Sequence, residues 1–273
     1  MSATQERRVI QSSLARLWPS LLRSFKTPGI GELLSHSAPW EDVADDVAAS
    51  WRDYASEYSE VENTLAARYH ATQLVFPQDF SAGTHISRVL YFIVRARKPQ
   101  TVLETGVANG HMTVVLLAAL SRNEGGELHS TDVRPDVGCL LSPSERRSWN
   151  YHLLPPAHVR TSFTAVLKRL PTVDLFFHDS QHGYGWQSFE YEAVSRHMSP
   201  DGVIASDDVD SSYAFLDFCA THKREPRLVF DGNKTAGVAP ASSPTVDRDL
   251  DAAVTITRHT PRGSTTSSAG SPN

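Results

Sequence analysis

The sequence predicts an α/β domain built on a mostly parallel sheet and preceded by a helical region. Three observations carry this expectation. Strand-like and helix-like segments alternate between residues 85 and 240, as βαβ units require. An apolar strand at 101–104 runs into a two-glycine loop and then into an apolar helix. The last two strand-like segments flank Asp231-Gly232-Asn233-Lys234, a turn sequence that makes them an antiparallel hairpin. Five parallel strands plus an antiparallel pair result.

Residues 1–84 read as helical. Leu14, Leu17, Leu21 and Phe25 recur at helix spacing among basic residues, up to the breaker Pro28-Gly29. A stronger helix is expected after Ser37, an N-cap candidate two residues before Pro39. From there Trp40, Val43, Val47, Trp51, Tyr54, Tyr58, Val61 and Leu65 alternate by threes and fours, with acidic and basic residues on the other sides. This stripe is expected to pack on the main domain, and it could also line a substrate pocket as a lid or form a homodimer surface.

In the second region, 85–240, the expected strands are 101–104, 127–131, 158–161, 173–177, 203–205, 228–230 and 236–239. Helices are expected at 111–121, 144–151, 164–169, 184–197 and 211–222. The third region, 241–273, is rich in Pro, Ser, Thr and Gly and reads as a disordered tail, with 252–258 as one further edge strand.

Composition narrows the function. A chain of 273 residues with net charge −5 gives no electrostatic reason to expect a nucleic-acid partner. Cys139 and Cys219 are the two cysteines and have no CxxC spacing, which argues against a disulfide scaffold or a cysteine zinc site and fits a reducing cytoplasm. No apolar run approaches the ~20 residues that span a bilayer. Arg16 and Arg23 interrupt any apolar signal core, so a soluble protein without membrane contact is expected.

The chemistry concentrates after the first strand, in Glu104-Thr105-Gly106-Val107-Ala108-Asn109-Gly110. Gly106 and Gly110 let the backbone approach a ligand and turn tightly into a helix. Glu104 would repel a pyrophosphate and attract the sulfonium and ammonium charges of S-adenosylmethionine. The glycine spacing also departs from the dinucleotide pattern GxGxxG. Asp132, ending the second strand about twenty positions on, suits two ribose hydroxyls. Ser162 is either an adenine contact or a helix N-cap.

These residues, together with Phe177-His178-Asp179-Ser180-Gln181-His182-Gly183-Tyr184 and Ile204-Ala205-Ser206-Asp207-Asp208, resemble the class I S-adenosylmethionine-dependent methyltransferases. The branch resembled contains the macrocin-type O-methyltransferases and the cephalosporin-hydroxylase-like proteins, and the likeness covers about 85–240. It implies a Rossmann-like class I methyltransferase sheet, S-adenosyl-L-methionine as cofactor, a small-molecule acceptor, and a divalent metal such as Mg2+ held by Asp179, Asp207 and Asp208. Asp179 also adjoins the implied cofactor. The sequence departs from that branch by carrying His182 and Tyr184 just after Asp179.

The residues themselves leave alternatives open. Three carboxylates at strand ends suit a hard cation, but Asp207 and Asp208 are adjacent, and neighbouring strand residues face opposite ways. One of them could instead cap the following helix. A metal or His182 as general base could take up the acceptor proton. The expected reaction is O-methylation of a sugar or natural-product hydroxyl. The alternatives are N- or C-methylation without metal, a nicotinamide-dependent oxidoreductase, or a non-catalytic cofactor-binding protein.

Overall fold

The computed structural model describes residues 27–232 and 234–241. The helix expected around 14–25, the tail and the edge strand at 252–258 lie outside the described residues.

Seven strands form one sheet: β1 (Thr101–Thr105), β2 (Glu127–Asp132), β3 (Trp149–Leu153), β4 (Val173–His178), β5 (Met198–Ser206), β6 (Arg227–Phe230) and β7 (Thr235–Ala239), in the order β3-β2-β1-β4-β5-β7-β6. β1 to β5 run parallel, and β7 is antiparallel to both β5 and β6. This is the predicted arrangement. Strand order reverses between β1 and β4, and the crevice outside the carboxyl ends of such strands is where open α/β sheets bind ligands.

Helices α1 (Ile30–Ser35), α2 (Trp40–Val47), α3 (Ala55–Ala71), α4 (Thr84–Arg97) and α5 (His111–Arg122) come first in the chain. They are followed by α6 (Pro143–Arg147), α7 (Val159–Leu167), α8 (Tyr184–Ser195) and α9 (Ala214–Thr221). One apolar cluster joins α2, α3, α4 and α5 to one face of the sheet; the other joins α7, α8 and α9 to the opposite face. Among the described residues, no helix is long and apolar enough to cross a membrane.

Helix α4 has no counterpart among the expected elements. Ile86, Val89, Leu90, Tyr91, Phe92, Ile93 and Val94 are all buried, while Arg88 and Arg95 on the other side pair with Glu62 and Glu57 of α3, so the helix is amphipathic and its period is open to a sequence reading. The aromatic stripe before it packs there as expected. Trp51 lies 5.3 Å from Phe92 and Tyr58 lies 5.2 Å from Tyr91, centroid to centroid. That face is therefore spent on intrachain packing.

The single helix expected over 40–65 is interrupted. The chain leaves helical geometry at Ala48 (φ −150°, ψ 63°), makes a 3₁₀ turn at Trp51–Tyr54 and restarts as α3. The indole of Trp51 donates to Asp45 at 2.7 Å across the break. The three-and-four spacing survives because both helices face α4. Ser37 is not the cap of α2: its hydroxyl donates to the Leu34 carbonyl, and its backbone bridges to Leu228 at the sheet edge.

The third strand is also displaced. Expected at 158–161, it lies at Trp149–Leu153, overlapping the helix expected at 144–151. A capping box between Ser142 and Glu145, with Pro143 at the first turn, starts α6, which ends after five residues with Ser148 as its C-cap. Trp149, Tyr151 and Leu153 then alternate as an edge strand, and Pro155-Pro156 lead into a 3₁₀ turn and α7 instead of a strand.

Candidate active site

A cavity of about 710 Å³ opens at the carboxyl ends of β1, β2, β4 and β5. The wall formed by the loop after β1 is mostly backbone. Gly106 sits at φ +81°, and a Cβ there would overlap the carbonyl oxygen of Asp179. The Gly106 amide donates to the Thr131 carbonyl at 2.9 Å, and the Asp179 amide donates to the Thr105 carbonyl at 2.8 Å. The first loop is thus held flush between β2 and β4. Asp132 lines the cavity, with its two oxygens accepting from the Val107 and Arg134 amides at 2.9 and 3.0 Å. Each oxygen keeps capacity for a further bond. Bare backbone at Gly106 beside a strand-end carboxylate fits a nucleoside with a free ribose.

Four expected cofactor residues stand elsewhere. Glu104 is 1% exposed and does not line the cavity; it faces α5, where its carboxylate accepts from Thr113 and from Ser130 at 2.6 Å. Burial, opposed by those hydroxyls, pushes its pKa up to about 7. The expected direct attraction between Glu104 and a cationic ligand is therefore corrected: strand alternation turns this side chain into the core. Gly110, at φ +90°, packs against Gly138 and Leu141. Asn109 is buried and bonds to Val75 and Phe76. Ser162 is neither strand end nor N-cap: it lies within α7, because β3 ends earlier in the chain. Leu154 and Val159 line the cavity on that side instead.

The acceptor-side wall gathers charge. His182 Nε2 lies 3.2 Å from Asp208 Oδ2 and 3.9 Å from Asp179 Oδ1. One donor atom from each of these three residues lies within 4.8 Å of the others. Asp207, expected to complete the acidic trio, does not join them. Its amide still bonds to the His178 carbonyl at 2.9 Å, which keeps it in the ladder, and its carboxylate pairs with Lys234 on the β6–β7 hairpin. Asp208 has φ +47°, so the chain leaves strand geometry between the two aspartates and sends them apart. The three residues placed so that they could hold a cation are therefore Asp179, His182 and Asp208, while Asp207 faces Lys234.

Burial moves these groups. It raises Asp179 well above the usual carboxylate range, with Asp207 adding to the rise and Lys234 opposing it. Burial lowers His182 to about 4 against the pull of Asp208. Asp207 rises to about 6 through burial, opposed by Lys234. Burial alone would lower Lys234, but its carboxylate neighbours, Asp207 foremost, raise it, so it is a fixed cation. The donor set of two carboxylates and one imidazole fits a divalent cation with water or substrate completing its shell, and the imidazole suits a borderline ion better than an all-oxygen site would.

Several site residues escape a sequence reading. Lys234 is legible only as part of a turn. Glu190, in the middle of α8, is buried and accepts from Thr105, His178, Ser180 and Trp186 at 2.6 to 3.0 Å, which locks the loop after β4. Phe76 and Phe80 line the cavity from the segment before α4. No spacing in the sequence marks those two rings. His178 packs against α8, as its alternation with Asp179 suggests.

Residues 103–209 match a family model described as a methyltransferase domain. The chain carries a methyltransferase domain. Solved structures share its fold. An O-methyltransferase from Bacillus cereus in complex with S-adenosylhomocysteine is 14% identical, over 72% of this chain and 99% of that one, with a TM-score of 0.51. A Podospora anserina methyltransferase bound to S-adenosylhomocysteine is 16% identical, over 70% and 95%, at 0.50. An O-methyltransferase of tomaymycin synthesis from Streptomyces achromogenes, in complex with S-adenosylmethionine, is 14% identical over 61% and 83%, at 0.50. Among curated proteins none matches this sequence. In the methyltransferase domain the matched span begins in β1 and ends just past Asp208, so it contains Gly106, Asp132, Asp179, His182 and Asp208.

Proposed function

We propose that the protein is an S-adenosylmethionine-dependent methyltransferase that transfers a methyl group to a hydroxyl of a small-molecule acceptor, a sugar or natural product. The observation that carries this reading is the placement of the glycine cradle and Asp132 in one cavity with the Asp179–His182–Asp208 cluster. The methyltransferase family match and the S-adenosylhomocysteine-bound and S-adenosylmethionine-bound fold relatives support it.

In this reading Gly106 and Asp132 seat the nucleoside, and the bound donor supplies an already activated methyl group. The protein must then align the acceptor oxygen, exclude water and receive one proton as the O–CH₃ bond forms and the S–CH₃ bond breaks. Asp179, His182 and Asp208 would hold a divalent cation against the hydroxyl, where Lewis acidity lowers its pKa. Lys234, paired with Asp207, fixes a positive charge at the same wall. In a metal-free route His182 would take the proton, with Asp208 at 3.2 Å stabilising the imidazolium against the burial that lowers His182 to about 4.

Calorimetry separates the main classes: S-adenosylhomocysteine should bind and NAD should not. Methyl transfer to a hydroxylated acceptor should be lost with EDTA and restored by Mg²⁺ or Mn²⁺. Indifference to chelator would assign the proton to His182, and NAD binding would overturn the reading. The division into a helical region (1–84), a catalytic domain (85–240) and a tail (241–273) belongs to the same proposal. So does action in a reducing cytoplasm without nucleic-acid or membrane partners, in keeping with the free Cys139 and Cys219 and the charge of −5.

A further inference from the structure

We propose that Asn109 is a positioning residue whose side-chain amide latches Val75 and Phe76, whose ring lines the cavity, to the loop after β1. The latch takes from the proposed function only the identity of the ligand in that loop.

Asn109 is 1% exposed and lies between two glycine-adapted turns of the loop after β1. Its Oδ1 accepts from the amides of Val75 and Phe76 at 3.2 and 3.0 Å, and its Nδ2 donates to the Phe76 carbonyl at 2.9 Å. Two amide donors and one carbonyl on the partner fix which end of the carboxamide is oxygen. The side chain engages both main-chain groups of Phe76, as a neighbouring strand would. Among the described residues, these bonds are what ties the backbone of 73–76 to the rest of the molecule.

The other side of Asn109 is equally fixed. Its own carbonyl accepts from the Leu140 amide at 2.9 Å, so the latch cannot swing without moving the loop. The Phe76 ring is covered by the Arg134 guanidinium, 5.4 Å from its centroid, and the Arg134 amide donates to Asp132. Phe76 is thus held through its backbone by the loop after β1 and through its ring by the loop after β2. Both loops line the donor side, whereas Phe76 itself lines the cavity. A ligand that stiffens these loops must also stiffen the acceptor wall. The coupling involves no titrating group at Asn109.

Hydrogen exchange of the Val75 and Phe76 amides tests this in the full chain, with S-adenosylhomocysteine as the probe. In the unmodified protein the probe should slow their exchange. In Asn109→Ala these amides should exchange roughly tenfold faster and lose the response to probe, while β4 amides change little. Asn109→Asp keeps both amide acceptor contacts but sets an oxygen against the Phe76 carbonyl, so it should fall between; it also carries the test if the alanine variant does not fold. Unchanged exchange at Val75 and Phe76, or loosening shared equally by β4, would overturn the proposal. Failure of the unmodified protein to bind the probe would sink the donor reading alone, because the comparison without ligand still decides the latch.

Discussion

The two walls of the cavity are built by different means. The donor wall is mostly backbone: the loop after β1 and the end of β2, with Gly106 and backbone amides making the surface and Leu154 and Val159 beside them. The acceptor wall is assembled from side chains on separate segments. Phe76 precedes α4, His182 and Asp179 follow β4, Asp208 follows β5, and Lys234 sits on the last hairpin. The first wall depends on what the backbone can do locally, and the second on where distant segments meet.

The largest expected effect breaks the donor wall. Gly106→Ala puts a methyl group onto the Asp179 carbonyl at a backbone angle that L residues rarely adopt. S-adenosylhomocysteine affinity should fall by roughly 100-fold or more (about 3 kcal/mol), measured by calorimetry on protein whose circular dichroism is unchanged. Retained affinity would mean that the cradle is not the donor site.

Next comes the acceptor wall. His182→Ala or Asp208→Asn should lower methyl transfer by on the order of 10²–10³ while S-adenosylhomocysteine affinity moves less than about threefold. If donor affinity collapsed with activity, the two walls would not be separate in function. A smaller effect is expected elsewhere in the donor wall. Asp132→Asn retains one acceptor oxygen, so donor binding should weaken by about tenfold (about 1.4 kcal/mol).

The smallest effect on the site, and one read mainly in stability, concerns Glu104. Its pKa is raised from 4.5 to about 7 in the folded state. The folded protein therefore holds a proton that the unfolded chain releases, so Glu104 favours folding fully below pH 4.5, and that contribution is lost as pH rises through 7. The loss amounts to roughly 3 kcal/mol. Glu104→Gln should remove this component, so that urea melts at pH 5 and pH 8 differ less than in the unmodified protein, with donor affinity nearly unchanged. A large loss of donor affinity would restore Glu104 to the ligand.

Legibility divides along the same line. That Gly106 and Asp132 reach the cavity is recoverable from sequence, because each sits at the end of a strand that apolar patterning locates. Glu104 misleads because a strand-end carboxylate looks the same in sequence whether it faces a crevice or a helix, and only the pleat decides. Asp207 and Asp208 are inseparable by sequence, since the left-handed backbone at Asp208 is imposed by the turn that carries the chain out of β5. The third strand is easily misplaced because Trp149, Tyr151 and Leu153 form a half-buried edge, a pattern that competes with the helix started by Ser142 and Pro143.

The sequence by itself determined the alternating α/β order, the closing hairpin and the glycine loop, because each depends on local periodicity or on backbone freedom within a few residues. The tertiary structure alone decided that Lys234 neutralises Asp207, that His182 joins Asp179 and Asp208, and that Asn109 reaches back to Phe76. Most of these partners are separated by tens of residues, and their meeting is set by strand order and by helices packing on the sheet, which no local pattern encodes.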